Sequence, residues 1–241
     1  MSMPHHPQQF TLYRSKTSPV CQKVELALDQ ANAIYNVCEI DLFNKPEWYF
    51  NKVNPAGTVP AITYGGPGVP PEDPSPLGFK LRESAVILEF IADIYPEASL
   101  LPSDPVLRAR ARFLVDAAAT KFFPVVFGFL NGIESHQTVL NIIDAIQALL
   151  PDSEEFAVGN TYTLADITII PIIAQLRLVY ENEVGKVSAE ERNNLREALF
   201  EEKYMKYMRY ACAMLERPNT RKVIDEEHVV SDWRRFFSQP H

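Results

Sequence analysis

Cysteine is scarce in this chain: three in 241 residues, at Cys21, Cys38 and Cys212. An odd, sparse set is a poor disulfide framework and fits a reducing compartment. Positive charge is also in deficit. Lys and Arg number 23 against 31 Asp and Glu, a formal charge of −8 with the two signs interspersed. That argues against a nucleic-acid partner, which needs a basic stripe. The apolar stretches are broken before the ~18 residues of a membrane span, so no membrane partner is expected. The start, Met1 to Gln9, is polar with two prolines and lacks the apolar run of a secretory signal. The five histidines show no metal-ligand spacing, His5 and His6 falling in a terminal tail, so no metal is expected. No internal repeat is visible. What remains is a cytoplasmic globular chain, long enough to bury a large core without staples.

The first hundred residues alternate short strand-like and helical stretches. Phe10 to Tyr13 reads as a strand. A helix follows, with Ser18 as N-cap and Pro19 at its first position, where a missing N–H costs nothing. Ile34, Asn36, Cys38 and Ile40 point one way in a second strand, with Tyr35, Val37 and Glu39 opposite. Mixed faces of this kind suit a sheet covered by helices. Asn44 to Phe50 reads as a helical turn, and Ala61–Tyr64 and Phe79–Arg82 as two more strands. The connection Gly65 to Gly78 holds five prolines and four glycines and reads as a mobile surface loop. Ser84 is expected to cap a helix carrying Ile87, Leu88, Ile91 and Tyr95.

The prolines at 96, 102 and 105 mark a boundary, and a division into 1–101 and 102–241 is expected. Beyond it the periodicity is helical: Arg108 to Asn131, kinked at Pro124 and Gly128, then Thr138 to Leu150, Thr163 to Asn182, Ser188 to Glu216 and Thr220 to His228. An α/β half followed by an all-α half makes two domains.

Three features of the first half carry chemistry. Ser18-Pro19-Val20-Cys21 sits at a strand-to-helix turn, where exposed N–H groups and the helix dipole favour an anion. The spacing is that of a redox Cys-Pro-x-Cys with serine in the leading place. Asn54 to Ile62 carries Val59-Pro60 at the start of a strand. A proline there suits a cis bend that offers the Val59 backbone to a peptide. Arg82-Glu83-Ser84-Ala85 places a hydroxyl, helix N–H groups and a carboxylate side by side, a fit for a zwitterionic amino-acid head. Taken singly, the first reads rather as a cap and the second rather as an ordinary turn, and the third equally as a cap.

In this order and at these separations the three motifs resemble the glutathione transferases. A fourth match is Gly159 to Asp166, in which Thr163 and Asp166 would form a capping box and Tyr162 a staple on Ile167. Within the family the chain is most similar to the omega class, through Asn44 to Phe50, Leu100 to Asp104, and Asp232-Trp233 with Phe236. It departs in carrying Ser18 where omega proteins usually carry cysteine, and so resembles serine-type fungal members. The resemblance implies an α/β thioredoxin-like N-terminal domain plus an all-α helical-bundle C-terminal domain, the glutathione transferase fold.

The resemblance also implies the site. Glutathione is the co-substrate, with its γ-glutamyl head on Glu83 and Ser84 and its cysteinyl backbone on Val59 beside cis-Pro60. Its glycyl end falls on Lys45, and its thiol lies near Ser18 and Val20. Ser18 would donate to the sulfur and favour the thiolate. A serine cannot carry out thiol–disulfide exchange. A hydrophobic substrate is expected between the domains, with Phe122, Phe123, Phe127, Tyr180 and Trp233 as candidate contacts, half or more of them alternatively core. Cys21, Cys38 and Cys212 all read as core, as do Tyr204, Tyr207, Met208, Tyr210 and Met214.

The implied function is conjugation of glutathione to hydrophobic electrophiles, with a weak peroxidase activity. The competing reading is a carrier of aromatic small molecules (a ligandin). A non-catalytic regulatory member and a cysteine-type thiol transferase rank below both. A homodimer is implied as well.

Overall fold

A computed structural model describes residues 9–152 and 155–238. His5 and His6 lie outside them. The chain divides into two compact units, Met1–Ala98 and Ser99–His241.

The first unit is built on a four-stranded sheet of order β2-β1-β3-β4, with β1 Phe10–Arg14, β2 Asn36–Glu39, β3 Ala61–Tyr64 and β4 Phe79–Arg82. β1 pairs with β2 in parallel, across the helix α1 Pro19–Gln30, and with β3 antiparallel; β3 pairs antiparallel with β4. Alternation along β1 sends Phe10 and Leu12 to one face and Thr11 and Tyr13 to the other. α1 and α3 (Ser84–Ile94) pack together, and α3 contributes buried Ile87, Leu88 and Ile91. Tyr13 meets Cys38, Ile40, Val53 and Tyr49 of α2 (Glu47–Lys52) in a second cluster. Ile34 is 89% exposed, so only the Cys38 and Ile40 end of the expected apolar face of β2 is buried.

The proline-rich connection is fastened, contrary to the mobile loop expected. Gln9 donates to the Val69 carbonyl at 2.8 Å and accepts from the Val69 N–H at 3.0 Å. The Tyr13 hydroxyl donates to the Pro71 carbonyl at 2.8 Å, and Lys52 pairs with Asp73 at 2.8 Å. Fixed proline φ angles leave little freedom to lose on ordering, so a few such bonds hold the segment.

The second unit is helical: α4 Pro105–Ala117, α5 Phe123–Leu130, α6 His136–Leu149, α7 Leu164–Glu181, α8 Ala189–Leu199, α9 Met205–Leu215, α10 Pro218–Val223 and α11 Glu226–Ser238. α4 and α5 are joined by a π-helical turn, Ala118–Phe122. Pro124 explains it: without an N–H it cannot close the α-helical bond, and the ladder slips by one residue. Gly128 does not kink the chain. A Cβ there would come within 2.6 Å of Glu134 Cγ, so the glycine permits a close approach. The stretch Pro105–Leu130 is long and apolar enough by length and composition to cross a membrane, which corrects the expectation of earlier breaks. Its residues Ala111, Leu114, Phe122, Val126 and Phe129 are buried, and it packs on α7.

Two expected helices are broken. Ser188 to Glu216 divides at Phe200–Tyr204, and Thr220 to His228 divides at Ile224–Asp225, where Asp225 caps α11 by accepting from the His228 N–H at 3.0 Å.

α7 is buried on nearly every face, which requires its N-terminus to be satisfied internally. Thr163 and Asp166 form the expected capping box. The Asp166 carboxylate, fully buried, accepts from the N–H groups of Ala157 at 2.7 Å and Thr163 at 2.9 Å, and from the Tyr210 hydroxyl at 2.9 Å. Burial pushes its pKa up, and these donors oppose the rise. Tyr162 makes ring contacts with Phe156 and, at 4.0 Å, with the Arg217 guanidinium.

Candidate functional site

Strand register gathers the three N-terminal motifs. Tyr13 faces Ala61, and Ala61 faces Arg82, so the end of β1, the start of β3 and the end of β4 lie at one end of the sheet. Arg14 faces Glu39, which brings the end of β2 there too. Ser18, Lys45, Val59-Pro60 and Glu83-Ser84 all sit on segments leaving that end.

Ser18 is the N-cap residue of α1, half-buried, and its side chain makes no capping bond. Its main chain is fixed by donation from the Ser18 N–H to the Ser15 carbonyl at 3.0 Å. The first bonds of α1 run from the N–H groups of Cys21 and Gln22 to the Ser18 carbonyl. Pro19 has no N–H, so the Val20 N–H is the open donor of the turn. Cys21 lies beneath, fully buried. Burial pushes its thiol up to about 12 against the Ser15 N–H and the Ser18 hydroxyl, which favour the thiolate. A thiol held protonated is a poor nucleophile.

Val59-Pro60 is the cis peptide bond expected. The preceding Thr58 carbonyl accepts from the Tyr49 hydroxyl at 2.6 Å and from Asn54 Nδ2 at 2.8 Å. Gly57 holds φ 66°, and a Cβ there would meet Phe50 Cε1 at 2.3 Å, so the turn requires glycine. The main chain of Val59 forms no hydrogen bond among the described residues. Tyr49 and Asn54 were not recognised in the sequence as supports of this segment. The Asn-Pro step announces a turn, and nothing local tells which carbonyl Tyr49 reaches.

At α3 the expected roles shift by one residue. Glu83 is the N-cap, and Ser84 is the first helical residue. Glu83 has φ 70° and ψ 106°, a left-handed conformation costing a non-glycine residue about 1–3 kcal/mol. Its side chain makes no cap bond. The first intrahelical bond runs from the Ile87 N–H to the Glu83 carbonyl at 2.9 Å, which leaves the N–H groups of Ser84, Ala85 and Val86 open beside the Ser84 hydroxyl. Lys45 is half-buried just before α2 and makes no ion pair among the described residues, nor does Glu83.

The aromatic candidates separate. Phe122 is fully buried and Trp233 is 9% exposed, so both are corrected to core. Phe123 and Phe127 stack on one face of α5, centroids 6.0 Å apart at 27°, with Phe127 53% exposed. Tyr180 is half-buried, and burial pushes its hydroxyl up to about 12. Cys38 is buried, whereas Cys212 is exposed and is no core residue. No group of three or more His, Cys, Asp or Glu able to hold a metal occurs among the described residues.

Residues 12–99 match the glutathione S-transferase N-terminal domain and residues 133–199 the C-terminal domain. The crystal structure of glutathione transferase Omega 1C from Trametes versicolor is 39% identical with a TM-score of 0.91, covering 98% of this chain and all of that one. Omega 2S from the same organism, in complex with 2,4-dihydroxybenzophenone, is 37% identical with a TM-score of 0.87, covering 95% of this chain and 99% of that one. Glutathione S-transferase DHAR3, chloroplastic, of Arabidopsis thaliana is 27% identical over 66% of this chain, which spans 55% of that protein's length. The chain belongs to the glutathione S-transferase family, has that family's fold with a thioredoxin-like N-terminal half, and is similar to its omega members.

Proposed function

We propose that the chain binds glutathione at this end of the sheet and transfers its thiolate to hydrophobic electrophiles, as a serine-type omega-like enzyme of the cytoplasm. One observation carries the reading. The N-termini of α1 and α3 both open at the same sheet end without a side-chain cap, and Lys45 and Glu83, on segments at that end, make no ion pair among the described residues. Glutathione has two carboxylates, one ammonium and one thiol, and each finds its complement. Ser84 and the first N–H groups of α3 take the γ-glutamyl carboxylate, and Glu83 takes the ammonium. The Val59 main chain pairs with the cysteinyl residue as a short strand addition. Lys45 takes the glycyl carboxylate as a point charge.

The Ser18 hydroxyl and the Val20 N–H donate to the sulfur. A free thiol has a pKa of about 8.5, and two donors at a helix N-terminus lower it. The thiolate attacks an electrophilic carbon, or a peroxide oxygen in a weaker side activity. Ser18 is a donor rather than a covalent nucleophile: the partner of its side chain within the fold is the Cys21 thiol, which burial keeps protonated, and a protonated thiol is no base. In a conjugation assay Ser18→Ala should lose about 10²–10³ in kcat, as when one oxyanion-hole donor is removed. Wild-type turnover in Ser18→Ala would overturn the role.

The carrier reading has one observation in its favour, the half-exposed stack of Phe123 and Phe127. An aromatic ligand would stack on Phe127, and a related omega structure holds 2,4-dihydroxybenzophenone. Binding of that compound without turnover of any electrophile would favour it. We further assign the homodimer contact to edge strand β4 and α3, where Phe79 and Val86 are 55% and 50% exposed and Leu77, two residues before β4, is 81% exposed. Phe79→Glu should then give a monomer in sedimentation.

A further inference from the structure

Arg14 ends β1, four residues before Ser18. Its guanidinium is largely buried, 15% exposed, and reaches two carboxylates on different elements. Nη1 donates to Glu25 Oε2 of α1 at 2.9 Å, and Nε lies 3.3 Å from Glu39 Oε2 at the end of β2 without the alignment of a hydrogen bond. The other oxygen of Glu39 accepts from the Lys16 main-chain N–H at 2.6 Å. Arg14 therefore ties β1 to α1, the two elements that flank the 15–18 loop, and also to β2, whose Glu39 grips the loop itself. α1 holds the loop from below: Gln22 Nε2 donates to the Lys16 carbonyl at 3.0 Å, and the Ser15 N–H donates to Cys21 Sγ at 3.5 Å.

We propose that Arg14, Glu25 and Glu39 are positioning residues that fix the 15–18 loop, and that the charge on Glu25 sets how firmly the Ser18 hydroxyl is presented. This rests on the reading of Ser18 as the thiolate's donor. Glu25 is buried, its side chain 7% exposed. It is faced by Arg14 from β1, Lys16 from the loop, Glu39 from β2 and Tyr35 just before β2; α3, packed on α1, carries Glu89 and Asp93. Burial pushes its carboxyl up to about 7 even with Arg14 opposing. Below that pH, Glu25 is neutral and Arg14 has one ionic partner. Above it, the cation is shared by two anions and the loop is held at both ends.

The test combines amide exchange with kinetics on Arg14→Met, Arg14→Lys and Glu25→Gln. The Lys variant serves if the Met variant does not fold. The Ser18 N–H, bonded to Ser15, should be more protected at pH 8 than at pH 6 in the wild type. Glu25→Gln should flatten that difference, and Arg14→Met should lose about tenfold in protection. In conjugation, Arg14→Met should lower kcat about tenfold with KM for glutathione within about twofold, as expected of a displaced group. In a Ser18→Ala background it should cost nothing more. Equal protection in all variants, or an undiminished further loss in Ser18→Ala, overturns the proposal. If Ser18→Ala retains full activity while the protection changes occur, the clamp on the loop stands and the reading of Ser18 fails.

Discussion

The N-termini of α1 and α3 in the first unit and of α4, α6, α7 and α8 in the second are treated in opposite ways, while α5, α9 and α10 of the second unit start at Phe122, Tyr204 and Arg217 with no side-chain cap either. In the second unit Asp104, Ser135, Thr163 and Ser188 each turn their side chain inward to accept from the first turn of α4, α6, α7 and α8. In the first unit Ser18 and Glu83 hold the N-cap position of α1 and α3, and neither side chain accepts such a bond. Closed termini spend their donors on folding. Open ones keep donors for an anion from outside, and at Glu83 the backbone is also held in a strained conformation. A serine before a helix is thus a structural cap at Ser188 and, at Ser18, a side chain that makes no capping bond and is proposed to meet the thiol. Only the bond it makes tells the two apart.

Breaking a closed terminus should give the largest effect on stability. Asp166→Ala strands the N–H groups of Ala157 and Thr163 and the Tyr210 hydroxyl in the core, and should cost about 3–5 kcal/mol in urea denaturation. Ser188→Ala removes an exposed cap and should cost about 1 kcal/mol. Ser18→Ala, by contrast, should change stability by less than about 0.5 kcal/mol, because its hydroxyl caps nothing. Glu83→Gly should stabilise the fold by up to about 1 kcal/mol through release of the left-handed strain while weakening glutathione binding.

A pH-dependent effect is expected from buried Glu25 of the first unit. Glu25 moves from its ordinary 4.5 to about 7. The folded chain then keeps a proton that the unfolded chain gives up, so stability is full below about 4.5 and falls as pH rises to about 7. The loss is at most about 3 kcal/mol. Glu25→Gln should remove that slope in denaturation curves taken across the window.

Legibility followed the same division. Where the signal is local, the reading was close. Ala61–Tyr64 and Phe79–Arg82 are bounded by proline and glycine and appear with those limits. Thr163 and Asp166 carry their capping box in their spacing. Where the outcome depends on distant partners, the sequence was silent. Nothing near Gly65 to Gly78 says that Gln9 and Tyr13 will pin it. The division of α8 from α9 has no signal in the apolar spacing: Phe200 stands a helical step of four before Tyr204, and only the fold shows that Phe200 is exposed while Leu199 and Tyr204 are buried. Cys212 lies among Ala and Met yet faces solvent, because α9 buries Tyr207, Ala211 and Met214 instead. Of the candidate site, the residues proposed to touch glutathione stand in local motifs. Those that hold them (Tyr49, Asn54, Arg14, Glu25) were not recognised, since each acts through a contact that only the fold creates.

The central claim is that the open termini of α1 and α3 exist to receive glutathione. It is tested most directly by titrating the purified protein with glutathione in a calorimeter, beside Glu83→Ala. The account predicts saturable one-site binding by the wild type and its loss in a Glu83→Ala protein that remains folded. Absence of heat from a folded wild type, or unchanged affinity in the variant, would contradict it.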